Sequence, residues 1–275
     1  MCKVLEVSRS AYYKWKLNGD PQHIKRHDLL IVDIKQAHGN SHKIYGSPRI
    51  TQKLTDKGIL VSKSTVARLM KSNSVKSKVK KKYRATTDSK HDFKIADNLL
   101  DRNFNVPLLN SVWISDITYI KIGSSWYYLT IIMDLADRMI IAWHLSSNLT
   151  AHDTVMRTWN KALEVRVIKQ PLIFHSDRGV QYACDDFKDL LKESKMVTQS
   201  MSRKGNCWDN AVAESFFKTL KTEFVYHHVF ANYEQAYRLI FQYIEAWYNT
   251  NRIHSSINNL SPLQMHLKLL INIAA

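Results

Sequence analysis

Between residues 111 and 146 three apolar, β-branched runs follow one another with very little between them: SVWISDITYIKIG (111–123), SWYYLTIIMDL (125–135) and RMIIAWHLS (138–146). Connections this short join antiparallel neighbours, because a parallel crossover needs a dozen or more residues. The period then changes. A helical stretch at about 150–166 leads to an apolar strand PLIFHSD (171–177), a helix at about 185–195, a strand MVTQSMS (196–202) and a further helix. Three antiparallel strands followed by alternating helices and strands predict a mixed five-stranded α/β sheet with helices on both faces. Residues 226–275 read as helical, with YEQAYRLIFQYIEAWYN (233–249) as an amphipathic helix. The longest apolar window, 126–145, contains Asp134, Asp137 and Arg138, so it reads as two buried strands and a turn rather than a membrane span.

Charge is distributed unevenly around this sheet. Residues 1–90 hold 21 Lys and Arg against 6 Asp and Glu, whereas residues 91–275 hold 19 against 18. Almost the whole net charge of +16 therefore lies in the first third, as expected of a polyanion-binding arm on a near-neutral domain. Cys2, Cys184 and Cys207 form no CxxC pair and give neither a disulfide framework nor a thiolate zinc site. With no apolar leader at the N-terminus, a reducing cytoplasmic setting is expected.

Within the basic arm, YGSPRITQKLTDKGILVSKSTVARLMK (45–71) has the punctuation of two short helices. Ser47 is expected as N-cap with Pro48 in the first turn, Gly58 as terminator, and Ser62 or Ser64 as the next cap. Ile50 and Leu54 face inward on the first helix, and Val66, Leu69 and Met70 on the second. Arg49, Lys63, Arg68 and Lys71 are left to meet phosphates, a helix-turn-helix arrangement. Residues 1–16 fit either the end of another helix-turn-helix or a plain amphipathic helix capped by Ser8. Residues 72–92 are a Lys/Ser/Thr run with little to bury and read as a basic linker. His23 and His27, and His38 and His42, have helical ligand spacing, but further ligands are lacking.

Three acids stand at chemically suggestive positions. Asp116 interrupts the first strand, Asp177 ends the fourth, and Glu214 lies in the helix after the fifth. Sites in α/β sheets gather at the carboxyl ends of strands. On the helix that holds Glu214, Val212, Ala213, Phe216, Phe217, Leu220 and Phe224 cover one side. Asn210, Glu214, Lys218 and Lys221 form a ridge on the other, within about 80° at roughly 100° per residue. Three converging carboxylates ionise together only when a cation joins them, and all-oxygen ligation favours Mg²⁺ or Mn²⁺ over zinc. Singly, each acid has an ordinary structural explanation: an edge-strand acid, a turn cap, and an i,i+4 partner of Lys218. Asp134 and Asp137 are assigned to a solvated hairpin turn. His175 either orients the acid site or fills the strand end.

Together, SVWISDITYI, FHSDRGVQY, QSMSRKGNCWDNAVAESFFKTLKTE and YIEAWYNTNRIHSSINNLSP closely resemble the orfB-type transposases of bacterial insertion sequences, whose ribonuclease H-like core is related to retroviral integrases. The resemblance implies a DDE triad at Asp116, Asp177 and Glu214, with the family's basic residue falling on Lys221. It implies two divalent ions per site, Mg²⁺ with Mn²⁺ substituting. It also implies cleavage at element ends in double-stranded DNA, strand transfer by the freed 3′-OH, and a homo-oligomer assembled on DNA near the nucleoid. Such proteins are often completed by an upstream reading frame, so a further end-recognition partner or fused domain is expected. Thirty-six residues separate Asp177 from Glu214, one more than the family's usual 35, with the extra residue near KESKMV (192–197). The zinc-binding cysteines of retroviral integrases are missing. Lys204 and Arg203, beside the late helix, are added to Lys218 and Lys221 as expected DNA contacts.

The expected organisation is a basic helical region at 1–71, a linker and connector at 72–105, a ribonuclease H-like core at 106–225 and a helical extension at 226–275. Two other functions fit parts of the sequence: a DNA-binding regulator with an inactive core, which the basic arm alone would support, and a ribonuclease H-type nuclease acting on RNA.

Overall fold

The structure, a computed structural model, describes residues 2–18, 22–78 and 93–274. The chain divides into two compact units, Met1–Val79 and Lys80–Ala275.

The first unit is helical: α1 (Arg9–Asn18), α2 (Gln22–Asn40), α3 (Ser47–Asp56) and α4 (Lys63–Ser72). Leu30, Ile34 and Ala37 of α2 are buried, as are Ile50 and Leu54 of α3 and Val66, Leu69 and Met70 of α4. The long helix α2 was not anticipated from sequence, because its three core residues are spread among His, Lys and Asp. The α3–α4 turn follows the expected chemistry. Gly58 takes φ +79°, and the Ile59 N–H reaches back to the Leu54 carbonyl at 2.9 Å, which closes α3. Ser62 caps α4 by accepting from Thr65 N at 3.1 Å. One cap is corrected: Gly46 occupies the N-cap of α3, and Ser47 is already its first residue. The second histidine pair is not a helix face either. His38 Nδ1 is engaged with the Tyr45 carbonyl at 3.1 Å, and His42 lies past the end of α2 at φ +52°. Ser8 accepts weakly from Ala11 N, at 3.4 Å, at the start of the fully exposed-to-half-exposed α1. Most of the expected basic linker, residues 79–92, lies outside the described residues.

The second unit is the expected mixed sheet. Its strands are β1 (Val112–Ile122), β2 (Ser125–Asp134), β3 (Ile140–Ser146), β4 (Leu172–Ser176) and β5 (Val197–Met201), in the order β3-β2-β1-β4-β5. The first three pair antiparallel; β4 is parallel to both β1 and β5. Helices α5 (Arg157–Val165), the one-turn α6 (Val180–Ala183) and α7 (Asp185–Glu193) supply Trp159, Tyr182 and Phe187 to one face. There Trp113 and Phe174 from the sheet meet Trp159 edge-on at 5.6 and 5.4 Å between ring centroids. The opposite face takes α8 (Ala211–Glu223) and α9 (Tyr233–Phe241), which continues as a π-helical segment to Asn249. From that segment Glu245 accepts from Trp143 Nε1, and Asn249 pairs with both backbone groups of Ile140. The chain ends in α10 (Pro262–Ala274). No helix among the described residues is long and apolar enough to cross a membrane.

Asp134 and Asp137 are not solvated, as the turn chemistry had suggested, but fully buried. Asp134 accepts from the N–H groups of Asn110 and Ala136, and Asp137 accepts from Arg166 and meets His266 of α10, each at 2.9 Å. Burial, then the Asp137 charge, pushes the Asp134 carboxyl up to about 6. These acids pin the hairpin and α10 to the core, and play no part at the far end of β1.

Candidate active site

Asp116 sits midway along β1, beside the parallel strand β4, whose last residue Ser176 hands the chain directly to Asp177. Parallel pairing of β1 with β4 brings these two acids to the same end of the sheet. Glu214 occupies the first turn of α8, where the exposed N–H groups of a helix favour a carboxylate. Helix α8 buries Ala213, Phe216, Phe217 and Leu220, which turns Glu214, Lys218 and Lys221 away from the core.

The three acids share one electrostatic field. Burial raises the Asp116 carboxyl well above the usual carboxylate range, and the charges of Asp177 and Glu214 raise it further. The Ile117 N–H, at 2.8 Å, and the charge of Lys221 pull it down. Glu214 is raised by burial and then by Asp177. Lys221, half-buried, has its ammonium lowered by desolvation and partly restored by Asp116, so it belongs to the same site. Lys218 is exposed one turn before it.

Asp177 is fixed by its own turn. Gly179 N–H donates to Asp177 Oδ1 at 2.9 Å. A Cβ on Gly179 would stand 3.1 Å from that oxygen and 3.2 Å from Gln181 Oε1, so the glycine keeps the carboxylate's surroundings open. Behind the acids, Tyr182 Oη and Ser115 Oγ pair at 2.8 Å in the buried core. His175 is buried between Ser200 Oγ (2.9 Å) and Ser202 Oγ (3.3 Å), and burial lowers it to about 4, so it is a neutral strand-packing residue.

Accumulated, mutually repelling carboxylates beside the half-buried Lys221 suit a hard divalent cation with oxygen ligands. No group of three or more His, Cys, Asp or Glu among the described residues already forms a cage for an ion. The donor set matches such an ion in its chemistry, as oxygen ligands that share one electrostatic field.

The loop before α8 is held by a buried acid that sequence reading did not single out. Asp209 accepts from Arg203 Nε, Arg203 Nη2, the Arg203 N–H, Arg102 Nε and Asn98 Nδ2, all within 2.8–2.9 Å. These donors hold its carboxyl far below the usual range. Arg203 also pairs with Asp101 at 3.1 Å, so its guanidinium is committed to the loop, whereas Lys204 next to it is exposed. In the first unit Lys63, Arg68 and Lys71 are exposed along α4, and Arg49 lies over the Tyr45 ring at 5.3 Å. Nothing in the local sequence marks Asp209 as a hub, because two of its donors lie more than a hundred residues upstream.

Comparison with known proteins bears on all of this. Two models described as integrase core domain match residues 108–207 and 195–262, and one described as HTH-like domain matches residues 25–83. An uncharacterized 31 kDa protein of insertion element IS600 from Shigella sonnei is 40% identical over 95% of this chain and 96% of its own. Transposase InsF for insertion sequence IS3A from Escherichia coli (strain K12) is 34% identical over 98% of this chain and 93% of its own. Among solved structures, a simian T-cell lymphotropic virus intasome, in complex with a PP2A regulatory subunit, aligns with 85% of this chain and 74% of that chain. Its TM-score is 0.50 at 15% identity, a likeness of fold alone. Identity of this extent, running through the helical unit and the sheet alike, leaves one conclusion: the chain belongs to the insertion-sequence transposases that carry an HTH-like region and an integrase core.

Proposed function

We propose that Asp116, Asp177 and Glu214 are the catalytic acids of this transposase and that together they hold divalent ions, two per site, Mg²⁺ with Mn²⁺ substituting. The observation that carries the reading is the shared field of the three acids. Asp116 and Glu214 are each raised by burial and then by neighbouring acids, beside Lys221, which is itself half-desolvated. Bound ions of this kind activate an attacking oxygen and neutralise charge on the leaving oxygen of a phosphodiester.

The chain's own residues do the rest. Asp116 is held in orientation by the Ile117 N–H and Asp177 by the Gly179 N–H, so both carboxylates are preorganised on the backbone. Lys221 holds a non-bridging phosphate oxygen as a point charge, and Lys218 and Lys204 follow the same strand outward. Water attacks phosphorus at the element end, the P–O3′ bond breaks, and the departing oxygen leaves as a 3′-OH. That hydroxyl then attacks a second phosphodiester in the same way, so no covalent protein intermediate is required.

Arg49, Lys63, Arg68 and Lys71 of the HTH-like region grip duplex DNA, with Arg203 shaping the loop that presents Lys204. In domain terms, residues 1–71 bind DNA, 72–105 connect, 106–225 carry the chemistry and 226–275 brace it. Joining two ends calls for at least two protomers, so a homo-oligomer assembled on DNA is the working form, with an upstream-frame domain contributing end recognition, in the cytoplasm at the nucleoid.

The test is end cleavage and joining on linear DNA bearing the element's terminal repeat, with Mg²⁺, Mn²⁺ or EDTA. Asp116→Asn, Asp177→Asn and Glu214→Gln should each abolish both steps and leave DNA binding in place. Joining retained by any one of them removes that residue from the triad; DNA binding with no metal-dependent chemistry in the wild type, even with the upstream domain supplied, returns the protein to a regulator.

A further inference from the structure

The β1–β2 hairpin outruns the sheet that supports it. Strand β4 pairs with β1 only over Val112–Ile114, and β3 pairs with β2 only as far as Tyr128. Beyond those points, Ile120–Ile122 and Ser125–Tyr127 form a two-stranded ribbon. Isolated ribbons are marginal in water, so this one needs a support. It has one on a single face: Gly123 N–H donates to the Phe230 carbonyl at 2.9 Å, and the Tyr127 ring lies 5.8 Å from Tyr233. Gly123 suits this turn by its φ of +56°, a backbone conformation that favours glycine.

The other face carries aromatics of a different kind. Alternation places Tyr119, Lys121, Trp126 and Tyr128 together on it, with Lys121 directly opposite Trp126 and Tyr119 opposite Tyr128. Tyr119 meets both rings edge-on, Tyr128 at 5.1 Å and Trp126 at 6.5 Å. A single T-shaped neighbour covers at most one face of the indole, and Trp126 is 56% exposed with Lys121 exposed beside it. Between Asp116 and Asp134 the hairpin contains no acidic residue. An exposed indole beside a lysine, on a rigid acid-free ribbon, is the makeup of a surface that stacks a nucleobase and holds its phosphate.

Position fits that ligand. Tyr119 is three residues from Asp116, or about 10 Å at the usual strand rise, and Lys121 about 17 Å. An odd separation puts Tyr119 on the opposite face of the sheet from Asp116. Because β1 is unpaired with β4 past Ile114, a strand leaving the acids can pass round that edge of the ribbon.

We propose that Trp126, braced by Tyr119 and Tyr128 and assisted by Lys121, stacks an unpaired nucleobase of DNA as a strand leaves the acid site. This rests on the transposase reading above. Strand separation near the cut would be favoured by capturing one base, and stacking is indifferent to sequence because every base has a π-face.

The test uses the full chain and a single-stranded thymidine oligonucleotide carrying 5-iododeoxyuridine, irradiated at high salt so that the basic unit contributes little. Cross-links should map to the peptide holding Trp126 and Tyr128. Trp126→Ala should weaken single-strand binding by about 5- to 150-fold, the equivalent of one stacked base, while Trp126→Phe retains most of it. Cross-links elsewhere, with affinity unchanged in Trp126→Ala, would overturn the proposal. A change of oligomeric state on sedimentation, with single-strand binding intact, would make the hairpin a protein contact instead. End cleavage by the wild type, measured in parallel, reports on the triad independently, so failure of the platform and failure of the catalytic reading give different results.

Discussion

Arg252 grips Glu223 with two prongs, Nη2 to Oε1 at 2.8 Å and Nε to Oε2 at 2.9 Å, and both residues are about 5% exposed. Glu223 is the last residue of α8, the helix that carries Glu214 and Lys221. Tyr243 Oη donates to the same carboxylate at 3.1 Å, and Phe216 of α8 meets Tyr248 edge-on at 4.8 Å. The segment after α8 therefore fixes how that helix is rotated over the sheet. Removing one partner of a buried pair strands the other charge. Arg252→Ala is expected to lower stability by about 3–5 kcal/mol, read from urea unfolding, with Arg252→Lys less damaging.

The acid site should cost stability in the metal-free protein. Asp116 and Glu214 both have carboxyls raised above their unfolded values. Their favourable contribution is complete below the unfolded carboxylate pKa, near 4, and is lost as pH rises through the raised folded values. At neutral pH, Asp116→Asn should therefore melt higher than wild type without metal, by about 2–4 °C for each kcal/mol of repulsion relieved, and should be inactive. An unchanged or lowered melting temperature would mean that the acids do not repel one another.

Asp209 has the opposite sign. Its donors hold the carboxyl down, so its contribution is complete above the unfolded value and is lost as pH falls through the acid range. Asp209→Ala should cost about 1–3 kcal/mol at neutral pH, and the difference from wild type should shrink on acidification in a thermal-melt series. Arg102 and Arg203 are each about half exposed, which keeps the expected loss modest.

Lys221 separates binding from fold. As a point charge on one phosphate, its replacement by Gln should make the log–log salt dependence of DNA binding shallower by about 0.9 and reduce joining more than it reduces binding. Lys221→Arg should keep the salt slope. Equal slopes for Gln and wild type, measured by fluorescence anisotropy, would remove Lys221 from the DNA path.

Much of this architecture was legible because its signals are local. The three runs at 111–146 could hardly be other than antiparallel, and Gly58 and Ser62 mark the α3–α4 turn with chemistry confined to a few residues. Asp116, Asp177 and Glu214 stood out as acids set in apolar surroundings, and the fold brings them into one field. What escaped was non-local. Asp209 is fixed by Asn98 and Arg102, and Glu223 by Arg252, pairs that no spacing rule connects. Asp134 and Asp137 looked like turn residues because turn composition is the same whether the turn is solvated or, as here, covered by Arg166 and His266.

The central claim is that Asp116, Asp177 and Glu214 meet on bound metal. Iron(II) substituted for Mg²⁺, with ascorbate and peroxide, cleaves polypeptide backbone close to the bound ion. Cuts are expected near residues 116, 177 and 214 together, competed away by Mg²⁺ and lost in Asp116→Asn. Cuts confined to other segments, or cuts at those three that Asp116→Asn leaves untouched, would contradict it.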